Sequence, residues 1–213
     1  MKYMKTLVKG YRDGLSADDR KRLQALAEYG QSPKIMLIAC ADSRVGPNLI
    51  FDAKPGELFV VRNVANVVPP HNKDEPYDGT AAAIEFAVKS LRVEHIIVKG
   101  HSLCGGVKAC CQGLHEDGAG ALDQLEYVPK WVSILNDCAS NALEKQPDAT
   151  LDELSRAVEH DAIRASLENL RALPFVQEGL KDGSLDIHGA YFDIRDARLY
   201  ALDQDCDEFF PLD

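Results

Sequence analysis

A chain of 213 residues with 46% hydrophobic content can bury one substantial core, so a single domain is expected. Its formal net charge of −10 and pI near 5.1 exclude nucleic acid and anionic membrane as partners, because both require basic patches. No run of about 18 apolar residues is present to span a membrane, and Met1 to Arg22 interleaves Lys, Arg and Asp with single apolar residues, which gives no secretory h-region.

Taken in order, Met4, Leu7, Val8, Tyr11 and Leu15 recur at helical spacing. Ser16 opens a second helical stretch that carries Leu23, Leu26 and Ala27 up to Tyr29-Gly30. Both apolar stripes need cover, from their own sheet or from a second subunit. Ile35 to Ala39 is a short apolar run of the kind that makes a buried parallel strand. Pro47 to Asp52 then reads as a short helical segment, Lys54 to Glu57 as a turn, and Leu58 to Arg62 as a second buried strand. A loop rich in Pro, Asn and Asp covers Val68 to Gly79. Thr80 starts a helix over Ala81 to Leu91, with Ile84, Ala87, Val88 and Leu91 on one face, and this helix delivers the chain to a third strand, His95 to Gly100. Strand, helix, strand is the crossover unit of a parallel sheet.

Gly105-Gly106 opens the next helix, which Gly113 ends, and the small residues let backbone approach a ligand closely. Val128 to Leu143 is helical by the spacing of Val132, Leu135, Ala139 and Leu143. Thr150-Leu151-Asp152-Glu153 is a capping box whose helix runs through Val158 and Leu167 towards Leu173-Pro174. Ser184 to Ile194 reads as a strand, with Leu199 to Leu202 as its hairpin partner at a sheet edge. No repeat, low-complexity tract or linker divides the chain. One domain is expected over 1–213, with a helical arm over 1–30, an α/β core over 31–203 and an acidic tail over 204–213.

Two stretches carry chemistry: Cys40-Ala41-Asp42-Ser43-Arg44 after the first strand, and His101-Ser102-Leu103-Cys104-Gly105-Gly106 after the third. Ligands of open α/β sheets collect outside the carboxyl ends of the strands, so the two stretches meet there. The thiolates of Cys40 and Cys104 and the imidazole of His101 suit a tetrahedral Zn²⁺ and fill three of its four positions, leaving one for water, as in catalytic zinc. With a formal local charge of zero that water is acidified less than beside three imidazoles, and neighbouring groups matter more. Asp42 and Arg44 lean to one side of an extended chain. A guanidinium that holds the carboxylate bidentately keeps it ionised, ready to accept the proton of zinc-bound hydroxide. The same carboxylate can instead swing to the open position and close the site.

Cys110, Cys111 and Cys138 read as small core residues and Cys206 as part of the tail; with no export signal all are expected as thiols in the cytoplasm. His71, His95, His115, His160 and His188 are the remaining imidazoles a proton can use, no spacing singles one out, and structural or solvated roles are expected for each. Trp131 reads as a packing residue.

The two motifs together resemble the β-class carbonic anhydrases. The likeness extends from about Gln31 to Asp203, through Gly56 to Asn66, Gly100 to Val107, and Pro174-Phe175-Val176 through His188-Gly189-Ala190-Tyr191. The resemblance implies reversible hydration of carbon dioxide to bicarbonate and a proton, one Zn²⁺ per subunit on Cys40, His101 and Cys104, and Asp42 and Arg44 as the orienting dyad. It implies a mostly parallel α/β sheet with an antiparallel edge strand, flanked by helices, in a homodimer or homotetramer whose amino-terminal helices pack on the partner. Leu37 stands where the bicarbonate-inhibited group carries Trp, and Gln31 matches a Gln of the plant-like group. In that group Gln31 would hydrogen-bond the substrate oxygen in a pocket walled by Phe59 and Val64, with Phe86 and Gly105 as further substrate contacts. Phe86 replaces a frequent Tyr, so altered kinetics are expected. Two rivals share the zinc: hydrolysis of carbonyl sulfide or carbon disulfide, and a noncatalytic interaction protein with Asp42 fixed in the fourth position. A thiol redox protein is disfavoured because no Cys-x-x-Cys is present.

Overall fold

In a computed structural model of the chain, residues 1–72, 78–115 and 122–212 are described. Unbroken apolar runs make the middle of the sheet, because a strand covered on both faces needs no alternation. β1 (Ile35–Cys40) is buried from Met36 to Cys40 and lies between β2 (Leu58–Asn63) and β3 (His95–His101). β4 (Asp186–Asp193) extends the parallel set beside β3. β5 (Arg198–Asp203) and β6 (Glu208–Pro211) turn back antiparallel, which gives the order β2-β1-β3-β4-β5-β6. The mostly parallel α/β sheet with an antiparallel edge is the fold expected from the sequence. The tail differs: 204–213 was expected outside the sheet, yet Phe209 and Phe210 pair with Leu202 and Ala201. Phe209 sets its ring 4.5 Å from that of His160, so apolar contact outweighs the acidic flanks.

Of the helices, α1 (Lys2–Gly14) and α2 (Ala17–Tyr29) form the arm, and α3 (Pro47–Phe51) follows β1. α4 (Gly79–Glu85) starts at Asp78 rather than Thr80, because the Asp78 carboxylate accepts from the Thr80 and Ala81 amides at 2.9 and 3.0 Å. It continues as a π-helical turn over Phe86–Leu91. Residues 73–77 of the expected loop lie outside the described residues. α5 (Gly105–Leu114) follows β3. The stretch expected as one helix from Val128 is α6 (Val128–Val132), a 3-10 turn (Ser133–Leu135) and α7 (Asn136–Lys145). α8 (Leu151–Arg171) carries the expected capping box, and α9 (Pro174–Asp182), which the sequence reading passed over, starts on Pro174 and stops at left-handed Gly183.

α8 packs close to the sheet because two strand positions lack a side chain. A Cβ at Gly100 or Gly189 would come within 2.8 or 2.9 Å of Ile163, which sits in the notch between them. Ile163 and Leu167 thereby join Met36, Ile38, Ile96, Val98 and Ile187 in one core cluster, each buried side chain contributing about 1.5–3 kcal/mol. A second cluster, with Val107, Leu135, Ala139, Val158 and Ala162, backs Cys40 and Cys104. α1 joins neither: Met4, Leu7, Val8 and Tyr11 remain between 45% and 66% exposed. Of the two covers its stripe allows, the chain's own sheet is therefore not the one used.

Candidate metal centre

β1 and β3 run parallel with Ala39 beside Lys99, so Cys40 and His101 leave the sheet at the same end. The chain after β3 must then fold back to bring in Cys104. Leu103 takes a left-handed conformation (φ 59°), and Cys104 becomes the residue that precedes α5. A non-glycine residue held there stores strain that its surroundings must hold in place. Ser102 supplies the brace: its amide donates to the Phe192 carbonyl at 3.0 Å, and its hydroxyl donates to Asp193 at 3.0 Å while accepting from the Ile194 amide at 2.8 Å.

The result is a compact donor set. Cys40 Sγ lies 3.8 Å from Cys104 Sγ, and two sulfurs about 2.3 Å from one tetrahedral ion stand about 3.8 Å apart. His101 Nδ1 lies 2.9 Å from the Ser102 carbonyl, to which its N–H donates, so the lone pair is on Nε2. That Nε2 is buried without a hydrogen-bond partner, and one ligand atom from each of Cys40, His101 and Cys104 lies within 4.8 Å of the others. An orphaned buried acceptor costs about 1–3 kcal/mol; a cation removes that cost. Two sulfurs and an imidazole nitrogen fit Zn²⁺, and no other three donors already lie so close together among the described residues. The Cys104 hydrogen bond holds the Cys40 thiol below its ordinary value, and the same bond, with burial, pushes Cys104 up. A divalent cation would release the proton that Cys104 keeps.

Asp42 sits beside this set with both oxygens engaged. Arg44 Nε donates to Oδ1 at 2.9 Å and Arg44 Nη2 to Oδ2 at 2.7 Å, and the Arg44 amide adds a bond to Oδ1 at 2.9 Å. The Arg44 hydrogen bonds hold the carboxyl well below the usual carboxylate range, against a smaller opposing effect of burial. Arg44 Nη2 also donates to the Leu103 carbonyl at 2.9 Å, which ties the two motif loops together. From β2, Arg62 donates to the carbonyls of Cys40 (2.9 Å) and Asp42 (2.7 Å).

Residues 35–199 match the sequence model of the family described as "Carbonic anhydrase". The chain belongs to the β-carbonic anhydrase family. It is 37% identical over 179 residues to β carbonic anhydrase 5, chloroplastic, of Arabidopsis thaliana, a match covering 84% of this chain and 57% of that protein. The chain thus spans little more than half the length of this curated relative. Among solved structures, the β-carbonic anhydrase CcaA superposes with a TM-score of 0.88 at 30% identity, over 99% of this chain and 100% of that one. A structure described with two tetrameric β-carbonic anhydrases of Sordaria macrospora gives 0.78 at 29% identity, over 94% and 95%. β-Carbonic anhydrases use zinc, in keeping with the donor set described above.

The substrate positions expected from the resemblance divide in this chain. Val64 and Gly105 lie at the metal end. Val64 begins a 3-10 turn (Val64–Asn66) directly after β2, and its Cγ1 lies 2.6 Å from where a Cβ on Gly106 would be, so it is Gly106 rather than Gly105 that needs to be small. Trp131, expected only to pack, also donates to the Val64 carbonyl at 2.8 Å. Gln31, Phe59 and Phe86 do not join them, contrary to the single pocket expected. Phe59 pairs with Met36 whereas Asn63 pairs with Cys40, so Phe59 stands four residues, about 13 Å, back along a rigid strand. Phe86 meets Phe59 with ring centroids 5.9 Å apart and planes tilted by 37°, and exposed Gln31 precedes β1 at its opposite end.

Two supporting residues escaped the sequence reading. Glu159 of α8 is 4% exposed, accepts from the Cys104 amide at 3.0 Å and from the Tyr191 hydroxyl at 2.9 Å, and burial pushes its carboxyl up. Lys99, fully buried on β3, donates to the Val45 carbonyl at 3.1 Å, and burial brings its ammonium down to about 8. The available signals were a charge inside an apolar strand run and a Glu four residues after Ser155, on the buried side of α8.

Proposed function

We propose that the protein catalyses reversible hydration of carbon dioxide to bicarbonate and a proton. The observation that carries this reading is a three-donor centre beside a carboxylate that Arg44 holds by both oxygens, so that Asp42 is kept out of the fourth ligand position. Cys40, His101 and Cys104 would hold Zn²⁺, which would supply a Lewis acid able to acidify water towards a pKa of about 7. Asp42, ionised throughout the physiological range, can only accept a hydrogen bond. Its one remaining lone pair, on Oδ2, would take a hydrogen of the attacking water and turn that oxygen towards the carbon of the substrate. Arg44 fixes the carboxylate, and through the Leu103 carbonyl it fixes the loop that carries Cys104. Val64 offers an apolar wall that suits an apolar gas.

Gln31, Phe59 and Phe86 complete the pocket from a second copy, in a homodimer or homotetramer. The exposed stripe of α1 supports this, as does an open groove of about 1140 Å³ along the free edge of β2, lined by Val60, Arg62, Val64, Pro69, Tyr127 and Trp131 among others. A cytoplasmic setting is supported by six cysteines that are all free; no helix among the described residues is long and apolar enough to cross a membrane.

The test is zinc content and stopped-flow carbon dioxide hydration on one sample, across about pH 6.5 to 9. One zinc per chain with turnover that rises with pH is expected. Stoichiometric zinc without turnover at any pH would overturn the catalytic reading in favour of a binding protein.

A further inference from the structure

β3 and β4 run in a register that sets His95 beside Asp186 and Ile97 beside His188. Side chains two apart on a strand share a face. His95, His188 and Asp186 therefore project from the same side of the sheet, at the amino ends of the strands. His95 precedes His101 by six residues, about 20 Å of strand, so this cluster is remote from the metal centre.

His188 Nε2 lies 3.2 Å from His95 Nδ1, and Asp186 Oδ2 lies 4.0 Å from the same Nδ1. With one N–H between them the two rings make a hydrogen bond. The same spacing is also close to that of neighbouring ligands about 2.0–2.1 Å from a single ion. Burial, with His95 alongside, presses the His188 pKa below its ordinary value, which favours the uncharged ring with a lone pair to give. The site is open: the His95 and Asp186 side chains are 40% and 69% exposed, and both border a cavity that Glu94 also lines. The three donors are not yet gathered around one point, so binding requires the exposed His188 ring and the exposed Asp186 carboxylate to turn towards His95 Nδ1. The two imidazoles stand on adjacent strands of one sheet, so little backbone order must be gained on binding.

We propose that His95 and His188, with Asp186 as third donor, form an accessory site for a borderline divalent transition ion, separate from the Cys40, His101 and Cys104 centre. Two imidazoles and a carboxylate with room for water suit Ni²⁺, Cu²⁺ or Zn²⁺ better than Mg²⁺ or Ca²⁺. An ion bound there would clamp β3 to β4, the strands that end in His101 and Asp193.

The probe is Ni²⁺, added by equilibrium dialysis to the zinc-loaded protein. One Ni²⁺ per chain beyond the resident zinc is expected, with a rise in thermal midpoint, since an ion that binds only the folded state stabilises it. His95→Gln and His188→Gln should each weaken Ni²⁺ binding on the order of tenfold or more and abolish the thermal shift, with zinc content and circular dichroism unchanged. Asp186→Asn should weaken it less. No Ni²⁺ above the resident zinc, or equal Ni²⁺ binding by both His variants, would show a hydrogen-bonded pair only and overturn the site. Zinc content and hydration on the same samples test the catalytic reading separately.

Discussion

The two ends of the parallel strands differ in how finished they are. At the carboxyl end the metal donors, the Asp42-Arg44 pair and their braces find their partners within one chain, down to the Glu159 bond on the Cys104 amide. At the other end α1 leaves its apolar stripe open, and Gln31, Phe59 and Phe86 stand away from the metal. The three donors are therefore gathered by a single chain, whereas on the proposed reading a second copy completes the substrate pocket. Zinc content and turnover should respond differently to changes at the two ends.

The largest effect is expected from Cys104→Ala. It removes a donor and leaves Cys40 and His101 too few to hold the ion, so zinc and hydration should vanish together. Retained zinc with activity, measured by metal analysis and stopped flow on one sample, would remove Cys104 from the centre. Asp42→Asn comes next, because it leaves the three donors untouched. Zinc should stay at one per chain while kcat/KM falls by about 10²–10³-fold, the range for a group that orients a reacting proton. A fully active variant would leave the Arg44 pair a structural tie between loops.

Changes in the arm sharpen the contrast from the other side. Leu7→Asp with Tyr11→Asp puts charge into the stripe of α1, remote from the centre in the same chain. Monomers by light scattering, with full zinc and hydration reduced by about tenfold or more, are expected if a second copy completes the pocket. A monomer with undiminished turnover would show that Gln31, Phe59 and Phe86 are not needed.

What the sequence disclosed follows the same division. Cys40, Asp42, Arg44, His101 and Cys104 were legible because ligand types stood in two short motifs, each directly after an apolar run, and parallel strands place such ends together. Glu159 was not, since its bond to Cys104 spans 55 residues and its place on the buried side of α8, the one local sign, names no partner. Pro174 closes the helical pattern of the sequence yet starts α9, the position where its missing N–H matters least. β6 was hidden by the acidic residues around Phe209 and Phe210. The separation of Phe59 from Cys40 became visible only through strand register, which residue matching to a family cannot supply.

The smallest effect tests the sealed end alone. Burial raises the Glu159 pKa above its ordinary 4.5, although the Cys104 amide and the Tyr191 hydroxyl both favour the ionised form. With the folded value raised, the native state holds more protons than the unfolded chain between about pH 4.5 and that value, so stability contributed by Glu159 is present at low pH and lost as pH rises through the window. Gln in its place can still accept from the Cys104 amide with its carbonyl, and its amide can donate to the Tyr191 oxygen. Glu159→Gln should thus retain zinc and lie within about 1 kcal/mol of the parent. In urea titrations the stability difference, variant minus parent, should grow as pH rises from about 5 to 7. A difference that shrinks instead would mean that the two hydrogen bonds outweigh burial, and that an ionised Glu159 anchors the Cys104 loop by charge.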